Sequence, residues 1–194
     1  MKKNRITFVL IGALVLLGVM QYNGMVTLRN NAETAWSKVE SSYQRRNDLI
    51  GNLVKTVQGA ADFEKSTLTD VINARAKATS VNINTGDITP DKIAQFQQAQ
   101  SGLTGALSKL LVSVERYPDL KANRNFLELQ SQLEGTENRI NVARDRYNDE
   151  VNKYDTKIDK FPGSILASLF GLKAMPRYKA DPGSEKAPDV DFKF

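Results

Sequence analysis

From Ile6 to Leu28 the chain carries no charged side chain, and the stretch from Ile6 to Met20 within it is almost wholly apolar. Wound as a helix to Val26, this run is about 31 Å long, enough to cross the ~30 Å hydrocarbon core of a bilayer. A short basic cluster, Met1-Lys2-Lys3-Asn4-Arg5, precedes it. A cleaved signal peptide shares both features, but cleavage requires small residues at the −3 and −1 positions. The candidates around Gly18 to Gly24 place Met20, Gln21 or Tyr22 in one of those slots, and the absence of cysteine excludes a lipoprotein-type anchor. Residues 1–28 are therefore expected to stay as a signal anchor. Lys2, Lys3 and Arg5 favour a cytoplasmic N-terminus, which leaves the body outside the membrane.

The 194 residues, less that anchor, leave room for one domain and a tail. The net charge is +5, but Lys and Arg alternate with Asp and Glu along most of the body. That pattern describes a solvated helical surface rather than a nucleic-acid footprint. The chain has no Cys and no His. It thus lacks a thiolate nucleophile, a zinc-thiolate site, the commonest metal ligand and the commonest general base. An enzyme is disfavoured, and no cofactor, metal or small-molecule substrate is expected. The carboxylates that could argue otherwise are Asp48 with Glu137, and Asp145, Asp149 and Glu150. The last three lie among Arg144, Arg146 and Lys153, as on a solvated face with local ion pairs.

Beyond Asn30 the apolar residues recur at alternating steps of three and four, the helical period. Ala32, Trp36, Val39, Tyr43, Ile50, Leu53, Val57 and Ala60 mark a first body helix, passing through Gly51 as a soft spot. Asp62 is expected to cap a second helix through Leu68, Val71, Ile72, Ala74 and Ala78. After a loop from Ser80 to Thr89, Thr89-Pro90-Asp91 reads as N-cap, N1 proline and first-turn acid. The third helix places Ile93, Phe96, Leu103, Leu107, Leu110 and Val114 on one face and stops at Tyr117-Pro118. A fourth, from about Asp119 to Lys160, repeats Phe126, Leu133, Ile140, Tyr147, Tyr154 and Phe161 at every seventh position. An extended coiled-coil dimer would use the same heptads, but the Pro and Gly breaks fit bundle turns better. The expected fold is all-α: a transmembrane helix, then an antiparallel up-down four-helix bundle over residues 29–161.

Arg46 interrupts the apolar seam of the first body helix, and Gln130, Glu137 and Arg144 interrupt that of the fourth. Arg46 and Glu137 both fall near the middle of helices expected to run antiparallel. They should approach as a polar pair in or beside the core, because a charge buried there without a partner is costly. Such a pair serves either to set register or as a switchable site.

At these residues the chain resembles the LemA family. The stretches that carry the resemblance include Tyr22-Asn23, Ala35-Trp36 and Gln44-Arg45-Arg46-Asn47-Asp48-Leu49-Ile50. Further on they include Tyr117-Pro118-Asp119-Leu120-Lys121, Thr136-Glu137-Asn138-Arg139-Ile140, Tyr147-Asn148 and Phe161-Pro162. The family usually has proline where this chain has Gly51, and an aromatic-then-basic stretch where it has Ala60-Ala61-Asp62-Phe63. The resemblance implies a single-pass bacterial membrane protein with a four-helix bundle, seated in the cell (inner) membrane. It implies no established enzymatic activity and no cofactor.

Four passes of helix should return Phe161-Pro162-Gly163 to the membrane surface. Residues 162–174 follow as a short apolar segment. There Ile165, Leu166, Leu169 and Phe170 either lie in the headgroup region or cap the open end of the core. Residues 175–194 are polar and proline-bearing and are expected to be a disordered tail. The function expected is a non-enzymatic scaffold that self-assembles or organises the membrane. Self-assembly is expected because Tyr147, Val151 and Tyr154 would outrun their intramolecular partners. The partners are the bilayer and a further copy or another membrane protein; an adaptor for a protease or signalling kinase is the alternative.

Overall fold

The computed structural model describes residues 2–60 and 63–179, with side chains from Ile6 onward. It is all-helical over these residues, without a strand. Six α-helices follow in order, with a 3-10 turn (Thr85–Asp87) between the second and third: α1 (Lys2–Gln58), α2 (Lys65–Ser80), α3 (Pro90–Val114), α4 (Pro118–Lys121), α5 (Arg124–Asp159) and α6 (Gly163–Phe170).

Among the described residues one helix is long and apolar enough to cross a membrane, and it is α1. Its helical geometry runs unbroken through Leu28–Arg29, so no joint separates the apolar run from the body. The change is one of burial. Phe8, Leu14 and Leu16 are exposed, whereas Met25, Ala32, Trp36 and Val39 are fully buried. Gly51 is a seat rather than a soft spot. A Cβ there would stand 3.1 Å from the Arg75 guanidinium, whose Nε donates to the Asn47 carbonyl at 2.7 Å.

The core divides into three apolar clusters along α1. The first joins Ile50, Leu53 and Val57 to α2, α3 and the start of α5. The second surrounds Trp36 and Tyr43 with Phe96, Ile140, Tyr147 and Val151. The third gathers Met25, Tyr154, Ile158 and Ala167 at the end where the apolar run begins. Trp36 and Tyr43 both meet Phe96 edge-on, at 5.6 and 4.9 Å, and Trp36 meets Tyr147 at 5.1 Å. Such edge-to-face packing contributes about 0.5–1.5 kcal/mol per pair beyond area burial.

Thr89 caps α3 as expected, its hydroxyl accepting from the Lys92 amide, with Pro90 in the first turn. The cap expected at Asp62 lies outside the described residues; α2 begins instead after Glu64, in extended geometry. The fourth expected helix is two: α4 ends at Lys121, and Asn123 restarts the chain, its side chain accepting from the Asn125 and Phe126 amides. Its heptads also end earlier than expected. α5 stops at Asp159, so Phe161 leaves the seam and is 81% exposed. Tyr147, Val151 and Tyr154, expected to outrun their partners, are buried. Two things cover them: α1 continues past them toward the N-terminus, and residues 172–179 fold back over α5. The start of the expected tail is therefore packed, with Tyr178 buried; residues 180–194 lie outside the described residues.

Candidate functional site

Arg46 and Glu137 come together, with Arg46 Nη1 donating to Glu137 Oε2 at 3.1 Å. The two ends differ: Arg46 is 5% exposed, the Glu137 side chain 46%. Most of the guanidinium is satisfied by α3 instead. Nη2 donates to Gln100 Oε1 at 2.7 Å, Nη1 to Thr104 Oγ1 at 3.4 Å, and Gln100 Nε2 in turn donates to the Ala78 carbonyl. Arg46 thus ties α1 to α3 and α5, and Gln100 extends the tie to α2. The sequence singled out Arg46 but not Gln100, a buried amide in an otherwise apolar stripe.

The four residues assigned to membrane contact divide between two environments. Leu166 packs against Met25, Tyr154 and Ala167, closing the core, whereas Ile165, Leu169 and Phe170 are exposed. Phe170 meets Tyr22 of α1 with the rings tilted at 52° and 4.7 Å between centroids. The exposed apolar face of α6 therefore adjoins the exposed apolar run of α1. Gly163 lets α6 start close against both α5 and α1: a Cβ there would lie 2.1 Å from the Lys157 carbonyl oxygen and 3.0 Å from the tip of Met25.

Two features went unseen in the sequence. One is a cleft of about 670 Å³ lined by Glu40, Gln44, Asn47, Asn82, Phe96 and Gln100 among others. Glu40 accepts from the Ile83 amide there, and burial nevertheless holds its carboxyl above the usual carboxylate range. The other is a strap, residues 172–179. Asn148 grips the Tyr178 backbone twice, its Nδ2 donating to the carbonyl at 2.9 Å and its Oδ1 accepting from the amide at 2.8 Å. The Tyr178 hydroxyl meets Tyr43 at 2.8 Å, and Arg144 donates to both, at 2.7 and 2.9 Å. Burial pushes the Tyr43 hydroxyl far up, the neighbouring Tyr178 adds to this, and Arg144 and Arg46 offset part of it. Tyr147 is raised in the same direction, by burial and then by Asp155. No motif marks the strap; only the isolated aromatic Tyr178 in a polar stretch could have signalled it.

The carboxylates weighed for metal chemistry are scattered. Asp48 accepts from Gln44, and Glu150 pairs with Lys153. Among the described residues no three acidic side chains converge on one point.

These features describe a helical protein with one membrane-length apolar rod that continues into a polar-stapled body. The chain belongs to the LemA family, whose family model matches residues 35–192. It is similar to magnetosome protein MamQ of Magnetospirillum gryphiswaldense, 27% identical over 186 residues that cover 86% of this chain and 68% of the relative. MamQ 1 of Paramagnetospirillum magneticum matches to the same extent, at 27% identity, 86% of this chain and 68% of the relative. Protein LemA of Metamycoplasma hominis is 23% identical over 170 residues, covering 88% of this chain and 74% of the relative.

Proposed function

We propose that this chain is a non-enzymatic membrane scaffold. Its α1 crosses the bacterial inner membrane once, with the N-terminus in the cytoplasm. Outside, the distal part of α1 forms an antiparallel up-down four-helix bundle with α2, α3 and α5. Pairings of Trp36 with Tyr147 and of Arg46 with Glu137 support that topology, since the numbers rise along α1 as they fall along α5. The observation that carries the proposal is α1 itself. Its exposed apolar end needs a lipid solvent, and its other end is the spine of the core. The exposed face of α6 gives a second lipid contact: Ile165, Leu169 and Phe170 would lie in the headgroup region beside the emerging α1.

The relatives' names carry no enzymatic activity to transfer. A scaffold at the membrane, presenting one rigid body to a further copy, uses the features that are present. Two measurements test this. Membranes washed at alkaline pH should retain the protein, and its release would sink the anchor. Size-exclusion with light scattering in detergent should give more than one subunit, whereas a clean monomer that finds no copy on crosslinking would refute self-assembly. Copurification of a different membrane protein after mild crosslinking would favour the adaptor role instead.

A further inference from the structure

The strap is bound as a ligand is bound. Among the described residues, the polar contacts of Met175–Lys179 run to side chains of the helices. The Met175 amide donates to Asp155 Oδ1 at 3.0 Å, and the Pro176 carbonyl accepts from the Tyr147 hydroxyl at 2.6 Å. Arg177 donates to Asn152 and faces Asp155, and the Lys179 carbonyl accepts from Gln97 of α3 at 2.7 Å. Tyr178 supplies the one deep anchor, in the pocket of Tyr43, Arg144 and Asn148. Asp155, Asn152, Asn148 and Arg144 line one flank of α5 over about 16 Å at 1.5 Å per residue. They read a basic residue, then an aromatic hydroxyl, on an extended backbone.

We infer that the groove formed by α1, α3 and α5 is a recognition site for an extended peptide. Between copies on one membrane, it takes the Met175–Lys179 strap of a second copy in place of its own. The inference rests on the scaffold proposal and supplies the interface it lacks. Three observations favour the second copy as occupant. The groove covers part of α5's late apolar surface, around Tyr147 and Val151, and the strap's Tyr178 and Met175 close it from outside. The segment that fits the groove is therefore encoded in every copy. On its N-terminal side the strap is joined to α6 through residues 171–174 alone, with no helix between. Its hinge is Gly171, at φ +66°, where α6 ends.

Position supplies the rest. The strap starts beside α6, at the end of the bundle where Tyr22 and Met25 sit. In copies standing on one bilayer, strap and acceptor groove then share one height, and tethering raises their effective concentration. Residues 171–174 extend to about 13 Å, comparable to one helix diameter of ~10–12 Å. That suffices for two straps to cross between copies facing each other about a two-fold axis, as in reciprocal segment exchange.

The absence of cysteine makes the test clean. Full-length chains carrying Asp155→Cys and Met175→Cys, with different tags, are expressed together and oxidised in the membrane. A disulfide joining the two tags is expected, lost severalfold when Asn148→Ala is added to the Asp155→Cys chain. Val142→Cys, on an exposed face of α5, should give no such link with Met175→Cys. One chain bearing both Asp155→Cys and Met175→Cys controls for folding by forming its internal link. An internal link alone, from a protein that is oligomeric by light scattering, would overturn the exchange and leave self-assembly standing. An internal link alone from a monomer would overturn both. If neither link forms, here or between Asn152→Cys and Arg177→Cys joined by a short bis-maleimide, the groove assignment itself is wrong.

Discussion

Arg46 is held by acceptors on two helices, and only one of them, Glu137, is charged. The neutral ones matter more, because Gln100 is buried while the Glu137 side chain is half in solvent. Arg46→Ala leaves Gln100 without its partner in the core and should cost about 2–3 kcal/mol. Glu137→Gln loses a screened half-exposed pair and should cost under about 1 kcal/mol. Urea unfolding of the full chain in detergent, followed by circular dichroism, separates the two. Glu40 behaves in the opposite sense. Its folded carboxyl binds a proton more tightly than the unfolded one, so its contribution is full at acid pH and declines as pH rises through its raised pKa. Glu40→Gln, which keeps an acceptor for Ile83, should raise the melting temperature at pH 7. The gain should vanish near pH 4, and an equal gain at both pH values would refute a protonation effect.

Gly163 lets α6 dock. A methyl there must displace the Lys157 carbonyl and also crowds the Met25 tip, so Gly163→Ala should loosen the third apolar cluster by about 1–3 kcal/mol. Hydrogen exchange should rise in residues 161–171 and stay unchanged in α3. The periodic elements were legible because burial imposes a period: the seams expected for α1, α3 and α5 are the buried faces, from Trp36 to Val57 and from Phe126 to Ile158. What lacked a period was hidden. Asn148, Asn152 and Asp155 read as ordinary solvent-facing residues of α5 until the strap is laid against them. Phe161 kept the seventh-residue spacing after the helix had ended, so spacing alone misplaced it. Arg46 could be singled out since a charge in an apolar seam demands a partner, but sequence does not say that Gln100 satisfies it.

The polarity of the assembled chain can be checked from outside. Leu127, half exposed on α5, becomes the one thiol in a Leu127→Cys variant. A membrane-impermeant maleimide should label it in intact spheroplasts, whereas Asn4→Cys should label only after lysis; the reverse order would invert the proposed orientation. The unjointed α1 has a mechanical corollary. With its first half embedded, the stretch from Thr27 to Gln58 is a stiff lever about 48 Å long. Leaning it by about 10°, well inside the 0–40° that helices adopt as lipid thickness varies, sweeps the far tip sideways by about 8 Å. A thinner or thicker bilayer would thus be felt at the turn after Gln58 as displacement, with no hinge in between to absorb it.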